Sequence, residues 1–158
     1  MNKRTTAITF AAIILAMFSI GLLVASMNNN QPATNVKISV YKSPSCGCCN
    51  SWITHLEQNG FQVTSYNTNG INEIKQNKGV PKQLVSCHTA VVNGYIIEGH
   101  VPAADIHQLL ETKPRIKGLA VPGMPIGSPG MEQGDRKDPY HVLTFNEQGQ
   151  TGIFSSYQ

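Results

Sequence analysis

The sequence carries little charge, and no stretch of it concentrates charge of one sign. Aspartate, glutamate, lysine and arginine make up 13% of its 158 residues. Lys3 and Arg4 stand in a terminal leader, and the other 10 basic residues balance 9 acidic ones. No stripe of lysine and arginine occurs, so the sequence offers no footprint for nucleic acid. There is no internal repeat. A content of 41% hydrophobic residues with this modest charge excludes a disordered chain, and the length suits one domain. Cysteine is scarce but crowded. Of four in all, Cys46, Cys48 and Cys49 fall within four positions, and the remaining one, Cys87, is followed by His88.

Charge is absent altogether from Thr5 to Ser26, and "AITFAAIILAMFSIGLLVA" (7–25) is nearly all apolar. A cleaved signal has an apolar region of roughly 7–15 residues and a spanning helix needs about 20, so this segment lies between the two. Val24-Ala25-Ser26 offers a small-residue cleavage site. Residues 1–26 are therefore expected to be a signal peptide or an N-terminal membrane anchor. In either case Lys3 and Arg4 stay inside and the domain beyond is exported, to the periplasm or another extracytoplasmic space. The lack of a cysteine near the cleavage region excludes a lipoprotein anchor. "MNNNQPATN" (27–35) reads as a polar linker, which leaves residues 36–158 as the exported domain.

Export makes structural disulfides expected. Stapling nonetheless explains the pattern poorly. A bridge between the adjacent Cys48 and Cys49 would be strained, and one between Cys46 and Cys49 closes a loop too short to stabilise much.

Hydrophobic periodicity orders the domain. "VKISVY" (36–41) reads as a strand. "CCNSWITHLEQNG" (48–60) reads as a helix, with Cys49, Ile53 and Leu56 on one face. "FQVTSYN" (61–67) alternates as a second strand, and "INEIKQNKG" (71–79) is a short helix. "TAVVNGYIIEG" (89–99) places Asn-Gly between two apolar runs, the signature of a two-residue hairpin. "VPAADIHQLLET" (101–112) follows as a helix with Ile106, Leu109 and Leu110 toward the core. "GLAVPGMPIGSPGMEQGDRKDP" (118–139) reads as one long Pro/Gly loop, and "YHVLTFNEQGQTGIFSSY" as a terminal hairpin. Strand, cysteine-bearing helix, strand, helix, hairpin, helix is the order of an α/β thioredoxin-like fold, with the loop and C-terminal hairpin as additions. A C-x-x-C at the first strand-to-helix turn is where that fold carries its cysteines.

Cys46 and Cys49, three apart at a helix N-terminus, share one side of the turn. Free N–H groups and the helix dipole stabilise thiolate there, which serves disulfide exchange and metal binding equally. Cys48 points about 100° away from Cys49 in a regular helix, so it joins the others only if the helix begins near it. Otherwise it is a small buried hydrophobe. Thioredoxins set a shielding proline where Cys87-His88 stands here, and this departure favours metal over disulfide chemistry alone. Cys87 and His88 share a site only if the chain turns between them, because neighbours in a strand face opposite ways.

Thiolate-rich sites suit Cu(I), zinc or iron–sulfur clusters. Zinc would be satisfied by Cys46, Cys49, Cys87 and His88, which leaves Cys48 unused. Cu(I) accepts bridging sulfurs, so the cluster could hold several ions. Met124 and Met131, in "VPGMPIGSPGME", add soft thioethers, Met124 ahead of Met131. His100, in "EGHVP", is a further ligand or packs behind the ligands. His55 is expected on a solvated helix face, His107 at the surface, and His141 carries no mark of a ligand.

"YKSPSCGCC", "SCHTAVV", "IEGHVPA", "GLAVPGMP" and "GSPGME", in that order over about residues 38–158, resemble the CopG-like family of exported bacterial metal-binding proteins linked to copper resistance, formerly described as a domain of unknown function. The resemblance implies a thioredoxin-like fold, and copper held by Cys46, Cys48, Cys49 and Cys87 with His88 beside them. It also implies a role in copper resistance through sequestration or copper redox handling. Two other functions stay open. One is a thiol–disulfide oxidoreductase with Cys46 as nucleophile and Cys49 as resolving thiol. The other is a copper chaperone for a membrane exporter. Export or redox proteins would be partners for these roles.

Overall fold

The computed structural model describes residues 36–158. The expected leader, anchor and linker (1–35) lie outside the described residues. Among the described residues seven strands form one sheet in the order β2-β1-β3-β4-β5-β6-β7, with three α-helices. The strands are β1 (Val36–Lys42), β2 (Phe61–Asn67), β3 (Thr89–Val92), β4 (Tyr95–Glu98), β5 (Gly118–Ala120), β6 (Tyr140–Phe145) and β7 (Thr151–Tyr157). The helices are α1 (Gly47–Gln58), α2 (Ile71–Asn77) and α3 (Ala103–Thr112), with a 3-10 turn at Lys82–Leu84. β1 pairs parallel with β2 and antiparallel with β3, and β4 pairs parallel with β5. Among the described residues no helix is long and apolar enough to cross a membrane.

The elements follow the periodicity in the sequence, and the Asn93-Gly94 turn of the β3–β4 hairpin takes the positive φ angles that Asn-Gly favours. One expectation is corrected. Gly118–Ala120 is not loop but strand β5, pairing with β4 on one side and β6 on the other. Three residues are too few to show a period. This short strand joins the terminal hairpin to the sheet, so the hairpin extends the fold instead of hanging from it.

Adjacent strand residues face opposite ways, and the sheet is buried on both sides accordingly. Ile97 and Leu119 join Ile38, Val40, Trp52, Leu56, Ile106 and Leu109 in the main core. Their neighbours Ile96 and Ala120 pack with Val80, Leu84 and Phe145 in a second core. Within α1 the buried face is Cys49, Trp52 and Leu56, so Trp52 holds the central place expected of Ile53, which is only partly buried. The indole Nε1 donates to the carbonyl of Val101 at 2.9 Å, and Tyr157 donates to Asp105 at 2.7 Å, tying β7 to α3.

His55 does not sit on a solvated face. It is half-buried, and its Nε2 accepts the backbone N–H of Ala103 at 3.1 Å. It caps α3 where Pro102, the residue at the helix start, supplies no side-chain bond. Burial holds its pKa below 6.5, with Glu132 opposing the shift. Folding thus favours the neutral ring. The stabilisation is full above pH 6.5 and is lost as pH falls through the lowered folded value. Wild type should lose about 1 kcal/mol, the worth of a typical cap, on acidification from neutral pH in urea titrations. His55→Gln should be less stable at neutral pH and lack this component. An unchanged pH profile in the variant would refute the cap.

Candidate metal centre

The centre is built where β1 gives way to α1. The chain turns over Ser43–Ser45, with the N–H of Cys46 bonded to the carbonyl of Ser43 at 3.1 Å. Cys46 stands at the helix N-cap in extended conformation, and Gly47 begins the helix. Because the helix starts one residue before Cys48, Cys46 is out of helical phase and Cys48 can turn toward the other sulfurs. Cys46 and Cys49 are joined as a disulfide, with Cα atoms 5.4 Å apart. The Cys48 sulfur lies 3.6 Å from that of Cys46 and 4.0 Å from that of Cys87. All four sulfurs fall within 4.8 Å of one another. Cys48 is therefore half-exposed at the centre of the group, not a buried hydrophobe.

The second half comes from the bend before β3. There Cys87 and His88 do face one site. The Cys87 sulfur is 3.1 Å from Nδ1 of His88 and 3.1 Å from Nε2 of His100. The three ligand atoms again lie within 4.8 Å of one another. Both rings are fully buried. His88 packs on Trp52 at 4.3 Å and meets His100 edge-on at 5.0 Å. The Nδ1 of His100 lies 2.7 Å from the carbonyl of Pro129, so it carries the proton and leaves Nε2 as a lone pair facing Cys87. A carbonyl behind a ring in this way fixes the tautomer of metal-binding histidines.

Burial pushes the Cys87 thiol up to about 12, and Cys48 beside it adds to the shift. Burial also holds His88 well below 6.5, reinforced by His100 and Lys75. His100 is lowered by burial too, against the Pro129 carbonyl and Glu132. The pocket therefore disfavours free charge and holds neutral rings, the form that binds metal.

Behind Cys87 lies a buried ion pair. The Nζ of Lys75 meets Oε1 of Glu98 at 2.6 Å, with both side chains almost fully buried. Glu98 also accepts the backbone N–H of Ser86 at 2.7 Å and the hydroxyl of Thr89 at 2.6 Å. These bonds hold both ends of the segment that carries Cys87 and His88.

The long Pro/Gly loop is anchored around the centre at three points. Ser86 donates its hydroxyl to the carbonyl of Gly123, His100 donates to Pro129, and Gly130 presses on the first turns of α1. Met124 is exposed in this loop and Met131 half-buried. His107 lies partly buried on Phe61, and His141 is exposed and bonded to Ser156, and neither joins a ligand group with the cysteines.

A family described as "Protein of unknown function, DUF411" matches residues 84–131, the stretch with Cys87, His88, His100 and both loop methionines. Two solved structures, described as Copper resistance protein copG, forms 1 and 2, are each 48% identical to this chain with a TM-score of 0.75. Each match covers 78% of this chain and 98% of the other. This chain belongs to the CopG-like family. No protein of curated function matches it.

Several residues that shape this CopG-like centre escape a reading by motif. Trp52, Ser86, Lys75 and Glu98 bear no ligand pattern. One signal was present: Glu98 closes the apolar run "YIIE", where an acid needs a buried partner. Gly130 is another, through its backbone. It holds φ at +84°, and a Cβ there would come within 2.7 Å of Trp52 N and 2.8 Å of Cys48 O. Gly130→Ala should lift the loop from α1 and cost about 1–3 kcal/mol, read as a lowered thermal midpoint. A midpoint within a degree of wild type would show that the loop is not seated there.

Proposed function

We propose that this CopG-like protein binds copper as Cu(I) on the sulfurs of Cys46, Cys48, Cys49 and Cys87, and acts in copper resistance by sequestration or copper redox handling outside the cytoplasm. The observation that carries the reading is the convergence of four sulfurs within 4.8 Å of one another. Soft thiolates select Cu(I), and sulfurs this close can bridge ions instead of each serving one. Cys48 then has a use that a single zinc held by Cys46, Cys49, Cys87 and His88 would not give it. Several ions also offset the repulsion among clustered thiolates. His88, Met124 and, after them, His100 and Met131 are the further ligands of this reading. Strand β1, helix α1, strand β2, helix α2, the β3–β4 hairpin and helix α3 support a thioredoxin-like reading of the domain. The apolar leader supports export, cleaved or anchored.

The test is anaerobic loading of the reduced full chain with Cu(I), competition with a chelator of moderate affinity, and elemental analysis. More than one retained copper per chain is expected. No retained copper overturns the reading, and one ion per chain overturns its multinuclear form.

A specific observation favours a second reading. The disulfide of Cys46 and Cys49 stands at the start of α1, as in a thiol–disulfide oxidoreductase. Insulin reduction at a thioredoxin-like rate, indifferent to Cys87→Ser, would establish it over copper binding.

A further inference from the structure

Asn-Gly occurs three times in the chain, at 59–60, 69–70 and 93–94. Each pair carries the atoms of an intramolecular reaction. The backbone nitrogen of the glycine can attack the side-chain carbonyl carbon of the asparagine, and a residue without a Cβ leaves that approach open. The fold gives the three pairs different freedom to react. We infer that Asn93-Gly94, at the tip of the β3–β4 hairpin, is a self-modifying site that converts to aspartate and isoaspartate in the folded protein, ahead of the other two pairs.

Three observations carry the site. The first is that nothing holds its reacting atoms. Both residues are exposed. Among the described residues neither the N–H of Gly94 nor the side chain of Asn93 has a hydrogen-bond partner. A Cβ at Gly94 would meet no atom within 4 Å. The second is the turn. With φ at +45° for Asn93 and +87° for Gly94, it takes the type I′ form. Rotating the one peptide between them gives type II′, the other two-residue hairpin turn, and leaves Val92 paired with Tyr95. In type II′ the first residue has ψ of about −120°. That rotation swings the Gly94 nitrogen to the side of Asn93 that bears Cβ, as closure of a five-membered ring requires. The third is the contrast with the other pairs. Gly60 donates its N–H to the carbonyl of Glu57 at 3.1 Å, the Asn59 amide donates to the carbonyl of His55 at 2.7 Å, and Nε2 of His107 lies 3.0 Å from the Asn59 carbonyl. Gly70 donates its N–H to the hydroxyl of Thr68 at 2.9 Å. These bonds must open before either pair reacts.

The step balances without any transfer of electrons. Hydroxide takes the Gly94 amide proton, a bond forms from the Gly94 nitrogen to Cγ of Asn93, and the bond from Cγ to Nδ2 breaks. Nδ2 leaves as ammonia with a proton from water, which restores the hydroxide. Water then opens the cyclic imide at either carbonyl. One opening gives aspartate, and the other gives isoaspartate, with the main chain routed through the side-chain carbonyl. The net change is one water gained and one ammonia lost. Aspartate tolerates positive φ as asparagine does, so that product keeps the turn and adds a negative charge to its tip. Isoaspartate lengthens the two-residue loop by one backbone carbon, which loosens the pairing of Val92 with Tyr95.

The full chain, held in mild detergent at mildly alkaline pH, is sampled over time, digested with trypsin and read by mass spectrometry for exchange of an amide NH2 for OH. Cleavage after Lys82 and Arg115 puts Asn93 in a different peptide from Asn59 and Asn69, and fragmentation separates those two. Each rate is divided by that of the same pair in guanidinium, which cancels the influence of neighbouring residues. One hydrogen bond is worth roughly fivefold in an opening equilibrium, so Asn69 should react about fivefold more slowly than Asn93, and Asn59 about 25-fold or more. Asn93→Gln should abolish the gain in its peptide, because a longer side chain does not close the five-membered ring. The isoaspartate fraction, separated by chromatography, should melt at a lower temperature than unmodified protein. Equal normalised rates at the three pairs overturn the inference, as does a gain in the Asn93 peptide that survives Asn93→Gln.

Discussion

Cys87→Ser should strip the reduced protein of the copper that, on the proposed function, wild type should retain against a chelator of moderate affinity. Cys87 is the member common to both ligand groups, so no other single change touches as much of the centre. Its sulfur lies 4.0 Å from Cys48 and 3.1 Å from each of two histidine nitrogens. Even residues that only orient metal ligands are worth roughly 10–100-fold in affinity, so a shared ligand should cost at least the upper end of that range. Serine keeps the size and removes the soft donor, which separates loss of metal from loss of fold. His141→Ala, at an exposed site on β6, should leave copper retention unchanged. Copper counts by elemental analysis, beside thermal melts of the metal-free proteins, decide the matter. Wild-type retention in Cys87→Ser would refute the four-sulfur reading.

Lys75→Met should be the most destabilising change among the described polar residues. Lys75 and Glu98 are 3% and 0% exposed, and their charged groups are 2.6 Å apart. Removing one partner leaves the other charge buried and unpaired, at about 3–5 kcal/mol. For a domain of this size that corresponds to a fall in thermal midpoint of about 10–20 °C. Glu98→Gln added to Lys75→Met should recover part of the loss. The amide has no charge to strand, and its oxygen can still accept the N–H of Ser86. A double variant less stable than Lys75→Met alone would show that the carboxylate, not the pair, stabilises the fold. Because Ser86 precedes Cys87, the single variant should also bind copper more weakly. A thermal shift of only a degree or two in Lys75→Met would show that the buried pair contributes little.

The legible part of the fold was the part with a period. Alternating strands at 36–42 and 61–67, the Asn-Gly hairpin and the α3 stripe all declared themselves, because a period of two or of 3.6 survives in sequence. β5 did not. Gly118–Ala120 is too short to show alternation, and it is a strand only because β4 and β6 offer it hydrogen bonds from both sides. His55 was misplaced for a similar reason. Its partner, the N–H of Ala103, lies 48 residues away, and local spacing carries no trace of it.

The candidate site divides along the same line. Crowding of Cys46, Cys48 and Cys49, the Cys87-His88 pair and the order of motifs marked a sulfur-rich centre from sequence, because ligand chemistry resides in residue type. Whether Cys48 turned inward depended on where helix α1 began, and helix starts are set by turn geometry as much as by composition. The place of His100 depended on the loop that brings the Pro129 carbonyl to its ring. The buried Lys75–Glu98 pair depended on α2 lying against β1 and β3, next to the strand that carries Glu98.

By itself, then, the sequence determined the elements that carry a period, the candidate donor atoms and the family. Tertiary structure alone decided which donors meet, which two sulfurs are bonded to each other and which charges are buried together. The reason is physical. Periodicity and ligand softness are properties of residues and their neighbours along the chain, whereas distance between residues far apart is set by packing of the whole sheet and its helices.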